Sequence, residues 1–209
     1  MKLILVRHGV SEHNKGDLIS GGASNPDLSA EGIAGVKKVS RNFDESQVDL
    51  VYASPLIRAK RTAEILTKGR KTINLDPRLI EMQFGSWEGS DVTPLYENCS
   101  DAFDFMGMIG KDYTKYAQNA ESYDDLVSRC QSFMVDLKQV ASQKTVLVVC
   151  HGFTIRGLMA AIFGLDTSEI TAQDNVTFTE INFDEANDFN PRLMSFNRAL
   201  PAYYGAINS

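Results

Sequence analysis

Two histidines and two arginines stand where their side chains could do chemistry together. Arg7-His8-Gly9 follows the apolar run at residues 3–6, and His151-Gly152 follows the run TVLVVC at residues 145–150. Both runs read as short strands buried on both faces. In open α/β sheets ligands sit at the carboxyl ends of strands, so both histidines are expected at one edge. Arg58 falls in the first turn of a helix that Ser54-Pro55 should open, serine as N-cap and proline as first helical residue, just past a strand at 50–53. Free N–H groups at such a helix start favour anions. Arginine offers a planar fork of donors suited to phosphate oxygens. A neutral imidazole can attack phosphorus and form a covalent intermediate. The second imidazole can donate a hydrogen bond to the charge that develops on the phosphoryl oxygens. Each histidine precedes a glycine, which lets the backbone turn sharply and approach a ligand closely. Such a set transfers a phosphoryl group without a metal ion, and no cofactor is expected.

The elements that must position these groups alternate along the chain. Residues 29–43 read as a helix with Ser29 at its N-cap and Ile33, Val36 and Val39 on one face. The helix after Ser54-Pro55 runs to about residue 67, and 73–75 is a weak strand. Leu126, Cys130, Phe133, Met134, Leu137 and Ala141 recur at helical spacing and define a long amphipathic helix over about 122–142, a stripe read as core packing. A helix to about residue 163 follows His151-Gly152, and residues 178–183 alternate as the last strand. The pattern predicts an α/β three-layer sandwich, a mostly parallel central sheet flanked by helices. About residues 86–120 break the rhythm. This stretch is rich in Met, Phe, Tyr and Gly and is expected to be a small insert beside the active site, within one domain over residues 1–209.

The composition, 43% hydrophobic and 23% charged over 209 residues, is that of a folded globular protein. A net charge of −6 argues against nucleic-acid or anionic-membrane partners. It also requires that cations for an anionic substrate be concentrated locally. Cys99, Cys130 and Cys150 are too few and too widely spaced for a disulfide scaffold and fit reduced thiols in a cytoplasmic protein. The apolar run at the start is too short for a signal peptide, and no run approaches a membrane span. A homodimer is compatible with the chain.

Four segments carry a resemblance to a known family. Arg7-His8-Gly9 with Ser11 and Asn14 resembles the RHGxSxxN motif of the histidine phosphatase superfamily, phosphoglycerate mutase-like branch. Residues 54–63 (SPLIRAKRTA) resemble its S-x-L-x-R-A-x-x-T-A segment, and 81–89 (EMQFGSWEG) its E-x-x-[FY]-G-x-W-E-G segment. His151-Gly152 resembles the closing HG motif. The four occur in family order across nearly the whole chain. The resemblance implies His8 as nucleophile, with Arg7, Arg58 and His151 around the phosphoryl group. It implies Glu81 as proton donor to the leaving oxygen and then as base for water; Met82, Phe84 and Trp87 could give its carboxyl an apolar setting. Asn14, Ser11, Ser20, Gly21 and Gly152 are the expected substrate-binding residues. Glu88 belongs to a structural turn in that pattern. His13 reads as a loop residue, Arg61 as a surface or ion-pairing one, and the cysteines as inert fillers.

The same family holds phosphatases and mutases. Mutases grip a second anionic end with an Arg four residues past the Asn of the first motif, a Lys eleven residues past the Glu, and an Arg pair in the insert. Here Leu18 and Val92 occupy the first two positions, Phe153 replaces the Asn usual after the second HG, and the insert has no Arg, only Lys111 and Lys115. A second anion would be buried unpaired. The expected activity is therefore hydrolysis of a small phosphorylated metabolite, with a leaving group at least partly hydrophobic. Mutase activity and an inactive phosphate-binding scaffold are the alternatives.

Overall fold

The computed structural model describes residues 1–15 and 18–200, with the side chains of Asn14, Lys15 and Glu185 left aside. Six strands, β1 (Lys2–Arg7), β2 (Leu50–Ala53), β3 (Ile73–Leu75), β4 (Thr145–Cys150), β5 (Thr177–Phe183) and β6 (Pro191–Ala199), form one sheet in the order β3-β2-β4-β1-β5-β6. The pairs β1–β4, β2–β4 and β2–β3 are parallel, while β5 runs antiparallel to β1 and to β6. The helices are α1 (Ala30–Ser40), α2 (Ile57–Leu66), α3 (Val92–Asn98), α4 (Tyr123–Val140) and α5 (Gly152–Phe163), joined by several single 3-10 turns.

The central strands bury both faces, and their period-2 alternation sorts the core into two layers. Leu3, Leu5, Val146, Val148 and Cys150 face α4 and α5, whereas Ile4, Val6, Leu147 and Val149 face α1 and α2. This is the expected three-layer α/β arrangement. Ser29 caps α1 by accepting from the Gly32 N–H at 3.0 Å, and Ser122 caps α4 by accepting from Asp125 N–H at 3.1 Å. Residues of the 86–120 stretch, among them Ala102, Ile109 and Tyr113, join the core layer of α4 and α5. No helix of the described residues is long and apolar enough to cross a membrane.

Two expectations are corrected. The helix after β2 begins at Ile57, with Leu56 at its N-cap. Ser54 Oγ instead accepts from the Leu56 N–H at 3.3 Å, in a turn before the helix, and Asn25 Oδ1 accepts from the Ile57 N–H at 2.7 Å. Residues 178–183 are not the last strand, because β6 follows. It begins on a proline, lies at the sheet edge and pairs through irregular register with β5. An edge strand with little buried surface needs no apolar alternation, so the pattern that reveals the other strands is missing there.

At Gly157 α5 packs tightly on α4: a Cβ there would lie 2.8 Å from Leu126 Cγ and 3.1 Å from Cys130 Sγ. Gly157→Val should therefore overpack this crossing and lower stability by about 1–3 kcal/mol, read as a drop in the urea midpoint with an unchanged slope. An unchanged midpoint would show that the crossing relaxes freely.

Candidate active site

The site follows from strand register. Arg7 pairs with Cys150, and the His8 N–H donates to the Cys150 carbonyl at 3.0 Å, so the residues one step beyond β1 and β4 are His8 and His151. Their rings meet edge to face with centroids 5.0 Å apart. His8 Nδ1 lies 2.7 Å from the Gly9 carbonyl. That oxygen can only accept, so Nδ1 carries the proton and Nε2 the lone pair. Arg58 Nε–H donates to His8 Nε2 at 3.3 Å, beyond the usual span for such a bond and easily surrendered. The lone-pair nitrogen of His8 is thus oriented by a fixed bond on one side and weakly engaged on the other.

Both arginines are held by backbone carbonyls. Arg58 Nη1 donates to the Ser24 carbonyl at 2.9 Å and Nη2 to that of Gly21 at 3.1 Å, while Arg7 Nη1 donates to the Gln173 carbonyl at 2.7 Å. Arg7 Nε and both ring nitrogens of His151 are buried without a hydrogen-bond partner among the described residues. Burial lowers Arg7 and Arg58 from the ordinary arginine value, opposed in both by the Glu81 charge. Burial also pushes His8 well below the ordinary histidine value, with Arg58 and Arg7 adding to it. His151 is pushed down in the same way by burial, then by His8, Arg58 and Arg7.

Glu81 is buried, and its setting is less apolar than its neighbours in sequence suggest. Oε1 accepts from the N–H groups of Met82 at 2.9 Å and Thr154 at 3.1 Å, and Oε2 from that of Phe153 at 3.3 Å. The last two belong to the first turn of α5, directly after His151. Glu88 plays a different part. Its carboxylate accepts from the N–H groups of Gly21 at 2.9 Å, Ala23 at 3.2 Å and Phe84 at 3.3 Å. It thereby fixes the loop whose carbonyls hold Arg58, in keeping with the structural role expected of it. Arg61 pairs with Asp27, as expected for an ion-pairing residue.

The remaining expected site residues divide. Ser20 and Gly152 line a cleft of about 280 Å³ together with Arg7 and Glu81. Gly21 lies behind it, with no space for a side chain: a Cβ would sit 2.2 Å from Glu88 Oε1. Ser11 is buried and its backbone bridges Leu28. The Asn14 side chain lies outside the described residues. Gly9 does not serve the sharp turn expected of it, since its φ is not positive. It leaves room instead for α1: a Cβ there would lie 2.6 Å from Val36 Cγ2.

Sequence reasoning missed three supports. Thr62 Oγ1 accepts from the Gly9 N–H at 3.0 Å and donates to the Arg58 carbonyl at 2.7 Å, tying α2 to the His8 loop. Asn175 Nδ2 donates to the His8 carbonyl at 2.7 Å, and the Val176 N–H to that of Arg7 at 3.0 Å. Val176 adopts φ of +57°, a strained choice for a β-branched residue. Gln173 reaches Arg7 as described above. The antiparallel β5 starts at the edge where β1 ends, so the loop before it arrives at the site. Thr62 lies within the 54–63 motif; Gln173 meets Arg7 through its backbone carbonyl and Asn175 meets a backbone carbonyl through its side-chain amide, and neither carries a spacing signal.

The sequence pattern of the Histidine phosphatase superfamily (branch 1) matches residues 3–197. The chain is 30% identical over 188 residues to phosphoserine phosphatase 1 of Hydrogenobacter thermophilus, covering 88% of each protein. It is 29% identical over 197 residues to a 2,3-bisphosphoglycerate-dependent phosphoglycerate mutase of Bartonella tribocorum, covering 90% of this chain and 92% of that one. Among solved structures, phosphoserine phosphatase from Entamoeba histolytica in complex with 3-phosphoglyceric acid superposes with a TM-score of 0.77 at 26% identity, covering 95% of this chain and 98% of that one.

The lowered histidines have a consequence for stability. Below about pH 6.5 the unfolded chain protonates these positions while the folded chain does not. The folded state therefore loses stability as pH falls from there, at up to about 1.4 kcal/mol per pH unit for each histidine. Above about pH 7.5 neither state protonates them and the contribution is flat. In phosphate-free buffer, urea unfolding between pH 7.5 and 5 should show a shallower loss for a His8→Gln/His151→Gln variant than for the unaltered protein. Equal pH slopes would refute the assignment.

Proposed function

The chain belongs to the histidine phosphatase superfamily (branch 1), and we propose that it hydrolyses small phosphorylated metabolites through a phosphohistidine at His8. The observation that carries this reading is the set of buried groups around His8 that have no partner among the described residues, Arg7 Nε and the two nitrogens of His151. Leaving such groups unsatisfied costs about 1–3 kcal/mol each. A phosphoryl group beside His8 Nε2 has the acceptor oxygens to satisfy Arg7 and one His151 nitrogen, with Arg58 turning from His8 to the same oxygens.

The reaction then has two steps. His8 Nε2 attacks phosphorus, the N–P bond forms and the ester P–O bond breaks. Glu81 delivers its proton to the leaving oxygen. In the second step Glu81, now a carboxylate, takes a proton from water as the water oxygen bonds phosphorus and the N–P bond breaks, regenerating His8 and releasing phosphate. Arg7 and Arg58 supply the positive charge, and no metal ion or cofactor enters either step. Transfer to water is favoured over mutase chemistry because Leu18, Val92 and Phe153 all line the cleft, and the two insert lysines are paired, Lys111 with Asp166 at 2.5 Å and Lys115 with Asp112 at 3.1 Å. A cytoplasmic setting belongs to the same reading, supported by three free cysteines, of which burial pushes Cys130 up to about 12.

Enzyme quenched in acid during turnover of a labelled substrate in EDTA should carry an acid-labile, base-stable phosphate adduct. His8→Ala should lose both adduct and turnover while keeping its circular dichroism. Full turnover in that variant would overturn the mechanism, and a requirement for one divalent ion would overturn its metal-free form.

Glu81→Gln should slow alkyl phosphates far more than p-nitrophenyl phosphate, whose leaving oxygen needs no proton. General acid catalysis is worth about 100- to 10,000-fold, so a selectivity change of that order is expected. Equal slowing of both substrates would remove Glu81 from the role.

A further inference from the structure

We propose that the site selects phosphomonoesters whose leaving group is uncharged and at least partly apolar, and that Val92, Leu18 and Phe153 enforce this choice. The inference rests on the phosphatase reading and deepens it. The floor of the cleft carries Arg7, Glu81 and Gly152, and its walls are Leu18, Phe84, Val92, Met108, Ile109 and Phe153. These walls come from separate stretches of chain, so the apolar lining is a property of the assembled cleft and not of one helix face. Leu18 is 45% exposed at this cleft. A leaving group that covers it removes apolar surface from water.

Charge points the same way. Arg7 is the only cation among the described residues lining the cleft; its Nη1 donates to the Gln173 carbonyl, and its unpartnered Nε is the donor assigned to the phosphoryl group. The other ionisable side chain in the lining is Glu81, which offers a second carboxylate no positive charge. Lys111 and Lys115 are paired elsewhere. The buried Arg156 packs its guanidinium 5.4 Å from the centre of the Phe153 ring and donates to the Thr167 carbonyl and the Tyr123 hydroxyl. It does not itself line the cleft. Phe153 thus presents a ring to the leaving group where a cation lies close behind. Among the described lining residues the only uncharged polar side chain is Ser20, already 2.9 Å from Ser24 Oγ, so a carboxylate in this space would be desolvated with little compensation.

The test compares n-propyl phosphate with 2-carboxyethyl phosphate, esters of similar size that differ in one charge, with p-nitrophenyl phosphate as a common reference. The protein should favour n-propyl phosphate by at least about tenfold in kcat/KM, of the order set by mismatched pocket chemistry. Val92→Lys should bring the two esters to within about threefold, chiefly by raising the rate on 2-carboxyethyl phosphate. Leu18→Lys, at an exposed position, should do the same and serves if Val92→Lys fails to fold. Equal or reversed preference in the unaltered protein, with p-nitrophenyl phosphate still cleaved, would overturn the inference and leave the phosphatase reading intact. Preference unchanged in a folded lysine variant would overturn the assignment to these walls. Release of phosphate from none of the three esters would overturn the phosphatase reading, and this inference with it.

Discussion

The structure depends on keeping two guanidinium groups charged, buried and unneutralised at one sheet edge. A chain with a net charge of −6 can hold an anion only if its cations are local and their charge is not already spent. The ordinary partner of a buried arginine is a carboxylate, and a buried pair of that kind is close to self-satisfied. Here the contacts to Arg7 and Arg58 run to the carbonyls of Gln173, Gly21 and Ser24. Carbonyl dipoles fix each fork and offset part of its desolvation without cancelling its charge. The surplus is left for a ligand. Burial of His8 and His151 follows the same logic, because two cations beside them favour neutral rings, and a neutral His8 is the form that can attack.

Carbonyl ligands are only as precise as the loops that bear them, and this explains where the carboxylates of the site have gone. Glu88 gathers the Gly21 and Ala23 N–H groups, turning the carbonyls of the same loop toward Arg58. Thr62, one turn after Arg58 on α2, binds the Gly9 N–H and so sets the distance between the helix that carries Arg58 and the loop that carries His8. On the other side, the segment before β5 clamps the backbone of Arg7 and His8 through Val176 and Asn175, at the expense of a left-handed Val176. Strain of about 1–3 kcal/mol persists only where neighbours over-determine it. Two strand ends, one helix start and two loops are thereby locked into a single frame.

The legible parts of this frame are those written in side chains at a regular period. The buried runs of β1 and β4 declared themselves, and because Arg7 and Cys150 are in register, the meeting of His8 with His151 followed from the two runs alone. Arg58 was placed correctly although its helix starts later than Ser54-Pro55 suggests, since the turn in between keeps it in the first turn of α2. What stayed hidden acts through backbone groups or lies at an edge. Gln173 contributes a carbonyl, which any residue has. The strand β6 buries too little to need alternation. Gly9 was read for its flexibility, but it is there because Val36 leaves no space for a Cβ, a packing fact that involves residues far along the chain.

The two ends of a phosphomonoester meet different parts of the protein, and the boundary between them is informative. In the proposed reaction the phosphoryl end would be held by the residues just past β1 and β4 and by the start of α2. The leaving end meets Leu18, the 86–120 stretch and the first turn of α5. Glu81 sits on the seam. Its carboxylate is pinned by the N–H groups of Phe153 and Thr154, so it is tied to the turn that carries His151 on one side and the wall residue Phe153 on the other. The atom that needs a proton in ester cleavage is the oxygen bridging the two ends. A carboxyl fixed to either part alone would follow the movements of that part. One held at their junction, as Glu81 is by the Phe153 and Thr154 N–H groups, would under the proposed mechanism face the bridging oxygen from a position shared by both parts.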